Sequence, residues 1–105
     1  MLIYVSGNVN TNNWEEKTRK AENFLKLNDL YVINPMNIDI IRENRLQDNQ
    51  VMKIEYALID ICDGIYMLKG WQKSKKACAE LTYAKSLDKK IIFEGYYDRE
   101  KKETN

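Results

Sequence analysis

Two glutamates stand where helical periodicity asks for apolar residues. In the stretch from Ser74 to about Leu87, Ala77, Leu81, Ala84 and Leu87 recur at three- and four-residue steps and form one face. Glu80 falls three after Ala77 and four before Ala84, so it belongs to that face or its edge. Glu55 repeats the anomaly one helix earlier, four after Val51, three before Leu58 and four before Ile59. A carboxylate leaning towards an apolar face is costly unless paired or used, and desolvation raises its pKa. Two such carboxylates in different environments could divide nucleophilic and general-acid work. Each also has a structural reading, with Glu80 turned outwards to Lys76 or Lys73 and Glu55 reaching water at the stripe edge.

Ser74 reads as the N-cap of the helix that carries Glu80, and Lys73, Lys75 and Lys76 crowd around it. Free N–H groups at a helix start, with cations beside them, outline an anion site; a solvated lysine cluster is the alternative. Tyr4 shares one strand face with Leu2 and Ser6, and has a role only in company. Trp71 reads as a loop anchor or a lid over a flat ligand. Cys78 reads as packing and Asp63 as structural. Histidine is absent, which removes Ser-His and Cys-His triads, and two thiolates make a poor zinc site. Neither a metal nor another cofactor is expected.

The elements that must position these residues alternate. "LIYVSG" (2–7) reads as a strand opening onto the polar "NVNTNN" (8–13). Asn13 then caps a helix with Glu15 and Glu16 in its first turn; Trp14, Ala21, Phe24, Leu25 and Leu27 carry its apolar spacing, and Asn28-Asp29 stops it. "LYVIN" (30–34) is a second strand, ended by Pro35, and residues 36–48 read as a loop with a short helix. Val51, Ile54, Leu58 and Ile61 mark a helix over 49–62, its stripe widened by Met52, Ile59 and Cys62. "GIYML" (64–68) is a third strand, apolar on both sides, and "KIIFEG" (90–95) a fourth; "YYDREKKETN" (96–105) is a charged tail, frayed or briefly helical.

Strands separated by helices predict βαβ units, hence an α/β, flavodoxin-like three-layer sandwich. Its parallel sheet has four strands, extendable to five, in the order 2-1-3-4. Ligands of such sheets bind beyond the carboxyl ends of the strands, where strand order reverses. Here that means the loops after Ser6-Gly7 and after Leu68, so Ser6, Gly7, Gly70, Trp71, Ser74 and Lys76 are the candidate substrate-binding residues.

At 105 residues and net charge +1, the chain suits one domain and gives no global electrostatic case for a nucleic-acid polymer or an anionic membrane. No apolar run approaches the roughly 20 residues that span a bilayer. Two cysteines and no secretory leader fit a reducing, cytoplasmic setting.

The segments "IYVSG" (3–7), "VINP" (32–35), "CDGIYMLKGWQKS" (62–74) and "ACAELTYA" (77–84) resemble the nucleoside 2-deoxyribosyltransferase superfamily. They are most similar to its compact phage and bacterial branch. The resemblance covers nearly the whole chain, as one such domain over 1–95 and a tail over 96–105, and Cys62 to Glu80 is its most specific part. It implies cleavage or exchange of the N-glycosidic bond of a 2'-deoxynucleoside or its 5'-monophosphate, in a homodimer or larger assembly with shared sites. It implies Glu80 as the nucleophile, Tyr4 as the residue that orients it, and Glu55 at the acidic position that contacts or protonates the base. An aspartate is usual at that last position. Ser74 matches a serine of nucleotide-cleaving relatives. Lys76 departs from the family glycine, and Asn8 from a common proline. A non-catalytic nucleotide-binding module, as a sensor or sequestering protein, is the alternative function that Lys76 favours. A structural or interaction protein would instead need exposed carboxylates and a filled crevice.

Overall fold

The computed structural model describes residues 1–95; the charged tail expected at 96–105 lies outside the described residues. Strand β1 (Leu2–Ser6) is followed by α1 (Trp14–Leu27) and β2 (Tyr31–Ile33). A single 3-10 turn at Pro35–Asn37 and the short α2 (Asp39–Arg42) fill the stretch that reads poorly in the sequence. Then come α3 (Asp48–Ile61), β3 (Gly64–Met67), a 3-10 turn at Trp71–Lys73, α4 (Lys75–Ser86) and β4 (Lys90–Phe93). The sheet is parallel throughout, in the expected order β2-β1-β3-β4.

Strand pairing sets which residues meet. Tyr4 stands opposite Ile33 on β2 and Ile65 on β3, and Ser6 opposite Met67. Side chains alternate across the sheet, so the two faces build two cores. Ile3, Val5, Tyr66 and Leu68 pack with Ala21 and Leu25 of α1 on one side. Tyr4, Ile65 and Met67 pack with Ile59 and Cys62 and with Ala77, Leu81 and Ala84 of α4 on the other. Helices on both faces give the three layers.

The helix boundaries have local causes. Ser74 Oγ accepts the Ala77 N–H at 3.1 Å, the N-cap expected of it. Asn13 holds the N-cap position of α1, but its side chain makes no capping hydrogen bond. Asp29 and Asp88 adopt left-handed backbone, φ 61° and 56°, just beyond α1 and α4. Such residues end helices because the left-handed turn aims the chain away from the axis.

Four apolar positions are corrected. Leu27 is 85% exposed and Leu87 40%, so neither belongs to the buried face of its helix. Ile61 is 64% exposed and Met52 42%; α3 buries Val51, Glu55 and Ile59 most deeply, with Ile54 and Leu58 half-buried beside them. The reason is phase. A stripe four residues wide admits two registers, and the packing of α3 on α4 selects the one centred on Glu55. Tyr56 and Tyr83 stack there with centroids 4.2 Å apart, and the Tyr83 hydroxyl donates to Asp60 Oδ1 at 2.6 Å.

At Gly64 the strands β3 and β4 leave no room for a side chain: an added Cβ would lie 2.9 Å from the Lys90 carbonyl oxygen and 3.1 Å from Ile3 Cδ1. Gly64→Ala is expected to lower stability by about 1–3 kcal/mol, the usual range for overpacking. Urea unfolding would show an earlier midpoint at an unchanged slope; a wild-type midpoint would mean that the β3–β4 spacing relaxes freely.

Candidate active site

Glu80 is buried, 4% exposed, on the inner side of α4 at the carboxyl end of β1. The Tyr4 hydroxyl donates to its Oε2 and the Ser6 hydroxyl to its Oε1, both at 2.6 Å. Tyr4 and Ser6 are two apart on β1, which places both on the face that meets α4. Ala77 and Ala84 flank Glu80 along the helix and are fully buried, so small side chains let α4 sit close to the strand. The outward alternative for Glu80 is thereby corrected: it pairs with neither Lys73 nor Lys76.

Lys76 pairs with the other carboxylate. Its Nζ lies 2.8 Å from Glu55 Oε1, with the lysine 43% and the glutamate 2% exposed. Glu55 does not reach water at a stripe edge; it occupies the middle of the buried face of α3. Its Oε1 has the ammonium beside it but no hydrogen bond of good geometry.

Burial is the main cause that raises the Glu80 carboxyl from 4.5 to about 7, and the Glu55 charge adds to it; the Ser6 and Tyr4 hydroxyls and Lys76 oppose the rise. Burial raises Glu55 too, opposed first by Lys76 and then by the Tyr4 hydroxyl. Burial and then the two carboxylates push the Tyr4 phenol far above its usual value, which keeps it a donor. The pair is thus coupled, and ionising one carboxyl makes ionising the other harder. Chemically, Glu80 is an oriented carboxylate able to attack or to take a proton, and Glu55 is a carboxyl whose charge depends on Lys76.

The binding candidates fall into two groups. Gly7 sits where β1 and β3 close: an added Cβ would meet Leu68 Cβ at 2.7 Å, and the Leu68 N–H donates to the Ser6 carbonyl at 2.8 Å. Ser6 itself is committed to Glu80. Gly70 turns the chain after β3 at φ 87°, with open space around it, and leads into Trp71. The Trp71 ring packs against Phe93, centroids 5.8 Å apart, and Cys78 lies half-buried behind it. With Met67, Lys69, Gln72 and Glu94, the residues Gly70, Trp71 and Phe93 line a cleft; the sequence reading named Gly70 and Trp71 and missed the rest. Phe93 and Glu94, at the end of the last strand, were the available signal. None of Tyr4, Ser6, Glu55 and Glu80 lines the cleft. Asp63 accepts the Leu2 N–H at 2.7 Å at the opposite end of the sheet, a structural contact. Among the described residues, no group of three His, Cys, Asp or Glu side chains is placed to hold a metal ion, and no helix is long and apolar enough to cross a membrane.

The fold and these side chains define a parallel, doubly wound α/β protein with a buried, coupled carboxylate pair beneath the carboxyl end of its sheet. Residues 1–93 match the family described as a domain of unknown function, DUF4406, and the chain belongs to that family. No curated protein matches it. Among solved structures it is similar to the CMP N-glycosidase BcmB of Clostridium botulinum, with a TM-score of 0.66 and 20% identity over 94% of this chain and 78% of that one. At that identity the likeness shows a shared fold.

The raised Glu80 carboxyl carries a stability consequence. Its folded pKa, about 7, exceeds its ordinary 4.5, so the native state holds the proton more tightly than the unfolded state. The stabilisation is complete below the ordinary value and is lost as pH rises through about 7. At roughly 1.4 kcal/mol per pKa unit, Glu80→Gln should gain on the order of 3 kcal/mol over wild type between acid and mildly alkaline pH. Denaturant unfolding of both proteins across that range measures it. Parallel curves would mean that Glu80 ionises as freely folded as unfolded.

Proposed function

We propose that the protein cleaves the N-glycosidic bond of a 2'-deoxynucleoside 5'-monophosphate, or of the nucleoside, or transfers its deoxyribosyl group. The observation that carries this reading is the Glu80 carboxylate, buried and held by two hydroxyl hydrogen bonds from Tyr4 and Ser6. Such a group is oriented for attack on an anomeric carbon. The resemblance in the Cys62–Glu80 segment supports the reading, and so does a similarly folded protein described as a CMP N-glycosidase.

In this mechanism one Glu80 oxygen forms a bond to C1' as the C1'–N bond breaks through an oxocarbenium-like state. Glu55 donates a proton to the departing base. Water, or an acceptor base, then releases the sugar from Glu80. Tyr4 and Ser6 hold the carboxylate in line throughout. The loop after β3 admits the sugar by moving at Gly70, since Tyr4, Ser6, Glu55 and Glu80 are each at most 4% exposed.

The 5'-phosphate goes to the start of α4. There the Ser74 oxygen caps the Ala77 N–H and leaves the hydroxyl hydrogen to donate, and helix geometry leaves the Lys75 and Lys76 N–H groups without intrahelical acceptors. The Lys76–Glu55 pair favours a second reading, a nucleotide-binding module without turnover, because it ties down the general acid.

A base-release assay over ribo- and deoxynucleosides and their monophosphates, CMP among them, decides between the two. Glu80→Gln should still bind but release base at least about a thousandfold more slowly, a barrier increase of roughly 4 kcal/mol. An unchanged rate would remove Glu80 from the mechanism. Binding without release in the wild type would favour the module.

Each retained charge-assisted hydrogen bond contributes about 1.5–3 kcal/mol, so a monophosphate should bind roughly tenfold or more tightly than its nucleoside. Ser74→Asp should weaken the monophosphate far more than the nucleoside in titration calorimetry. Equal binding of both ligands by the wild type would place no phosphate at α4.

A further inference from the structure

Lys76 is the feature that neither the fold nor the reaction needs. It stands two residues into α4, half in solvent, and its ammonium reaches inwards to a glutamate that is only 2% exposed. Helical side chains lean towards the helix N-terminus, so the same flexible stem can also swing towards the Ser74 end of α4. The two destinations carry like charge, a carboxylate inside and a phosphate outside, and one ammonium cannot fully neutralise both.

We infer that Lys76 couples phosphate binding to the protonation of Glu55. In the empty site the ammonium pairs with Glu55 and keeps it ionised; a phosphate dianion at the start of α4 draws the ammonium off, and Glu55 takes up a proton from solvent. That proton is the one the leaving base receives. The inference rests on the phosphate reading given above and deepens it: Lys76 makes the acid available only when a phosphorylated ligand is seated.

The surroundings of Glu55 support this. The titratable and charged groups that face it are Lys76 and Glu80 on α4 and the Tyr4 hydroxyl on β1. Tyr4 stays neutral and Glu80 repels a second negative charge, so Lys76 is the cation among them. Its Oε1 carries no hydrogen bond of good geometry that would hold the charge once the ammonium leaves. A buried carboxylate stripped of its cation protonates, because ionisation without a partner in a low-dielectric interior is the costlier state. Lys73 and Lys75 are exposed beside Ser74 and make no contact with either glutamate among the described residues. Lys76 is a positioning residue in this scheme, acting on the reaction through Glu55.

The test uses 2-deoxyribose 5-phosphate, which carries the phosphate but has no base to lose, with 2-deoxyribose as its control. Above about pH 7 the phosphate is already a dianion, so the ligand itself contributes little proton exchange. Titration calorimetry in buffers of different ionisation enthalpy should show uptake of about one proton by the wild type, and affinity falling by up to about tenfold per pH unit. Lys76→Met should show neither, since its Glu55 is protonated before the ligand arrives; Glu55→Gln should show neither as well. Lys76→Arg should restore both. No proton uptake by the wild type, or uptake that persists in Lys76→Met, overturns the inference. So does failure of the sugar phosphate to bind, which also removes the phosphate site. Proton uptake with no base released from any nucleotide would leave the coupling standing and discard the catalytic reading; base release with a flat pH dependence of binding would do the reverse.

Discussion

The Glu80 carboxylate accepts one hydrogen bond on each oxygen, from Tyr4 and from Ser6, and the arrangement of β1, β3 and α4 follows from that contact. Both hydroxyls must lie on one strand face, which the two-residue repeat of β1 supplies. The helix must come close enough for 2.6 Å contacts, which Ala77 and Ala84 on either side of Glu80 allow. The Ser74 cap starts α4 in the register that turns Glu80 inwards. Larger side chains at 77 or 84 would lift the helix and leave the carboxylate buried without donors, the worst combination for a charged group.

Around this contact the electrostatics are those of two carboxyls and one ammonium in a water-poor space. Burial alone would neutralise both glutamates. The hydroxyls favour the ionised form of Glu80, and Lys76 favours that of Glu55, yet each charge raises the other carboxyl. Lys76 stands at the boundary of this space, its ammonium paired with the buried Glu55 and its stem half in solvent.

The cleft beside Trp71 and Phe93 and the buried carboxylates are separate in the described structure, although both belong to the carboxyl end of the sheet. Gly7 directly follows β1, and Gly70 lies in the loop after β3. Gly7 is held by its approach to Leu68, whereas Gly70 has open space around it and left-handed backbone.

Much was decided by the sequence alone. Alternating strand and helix patterns, with Pro35, Asp29 and Ser74 as punctuation, determine the parallel sheet and its 2-1-3-4 order, because these signals act over a few residues and crossover handedness does the rest. The inward lean of Glu80 was legible for the same reason, as its neighbours Ala77 and Ala84 bracket it. The tertiary structure decided what local periodicity leaves degenerate. An apolar stripe four residues wide permits two phases, and only the docking of α3 on α4 put Glu55 at its centre and Ile61 in solvent. The partner of Lys76 was likewise beyond the sequence. Glu80 is its neighbour along the helix, but β1 had already supplied a donor to each Glu80 oxygen, and the ammonium went to Glu55.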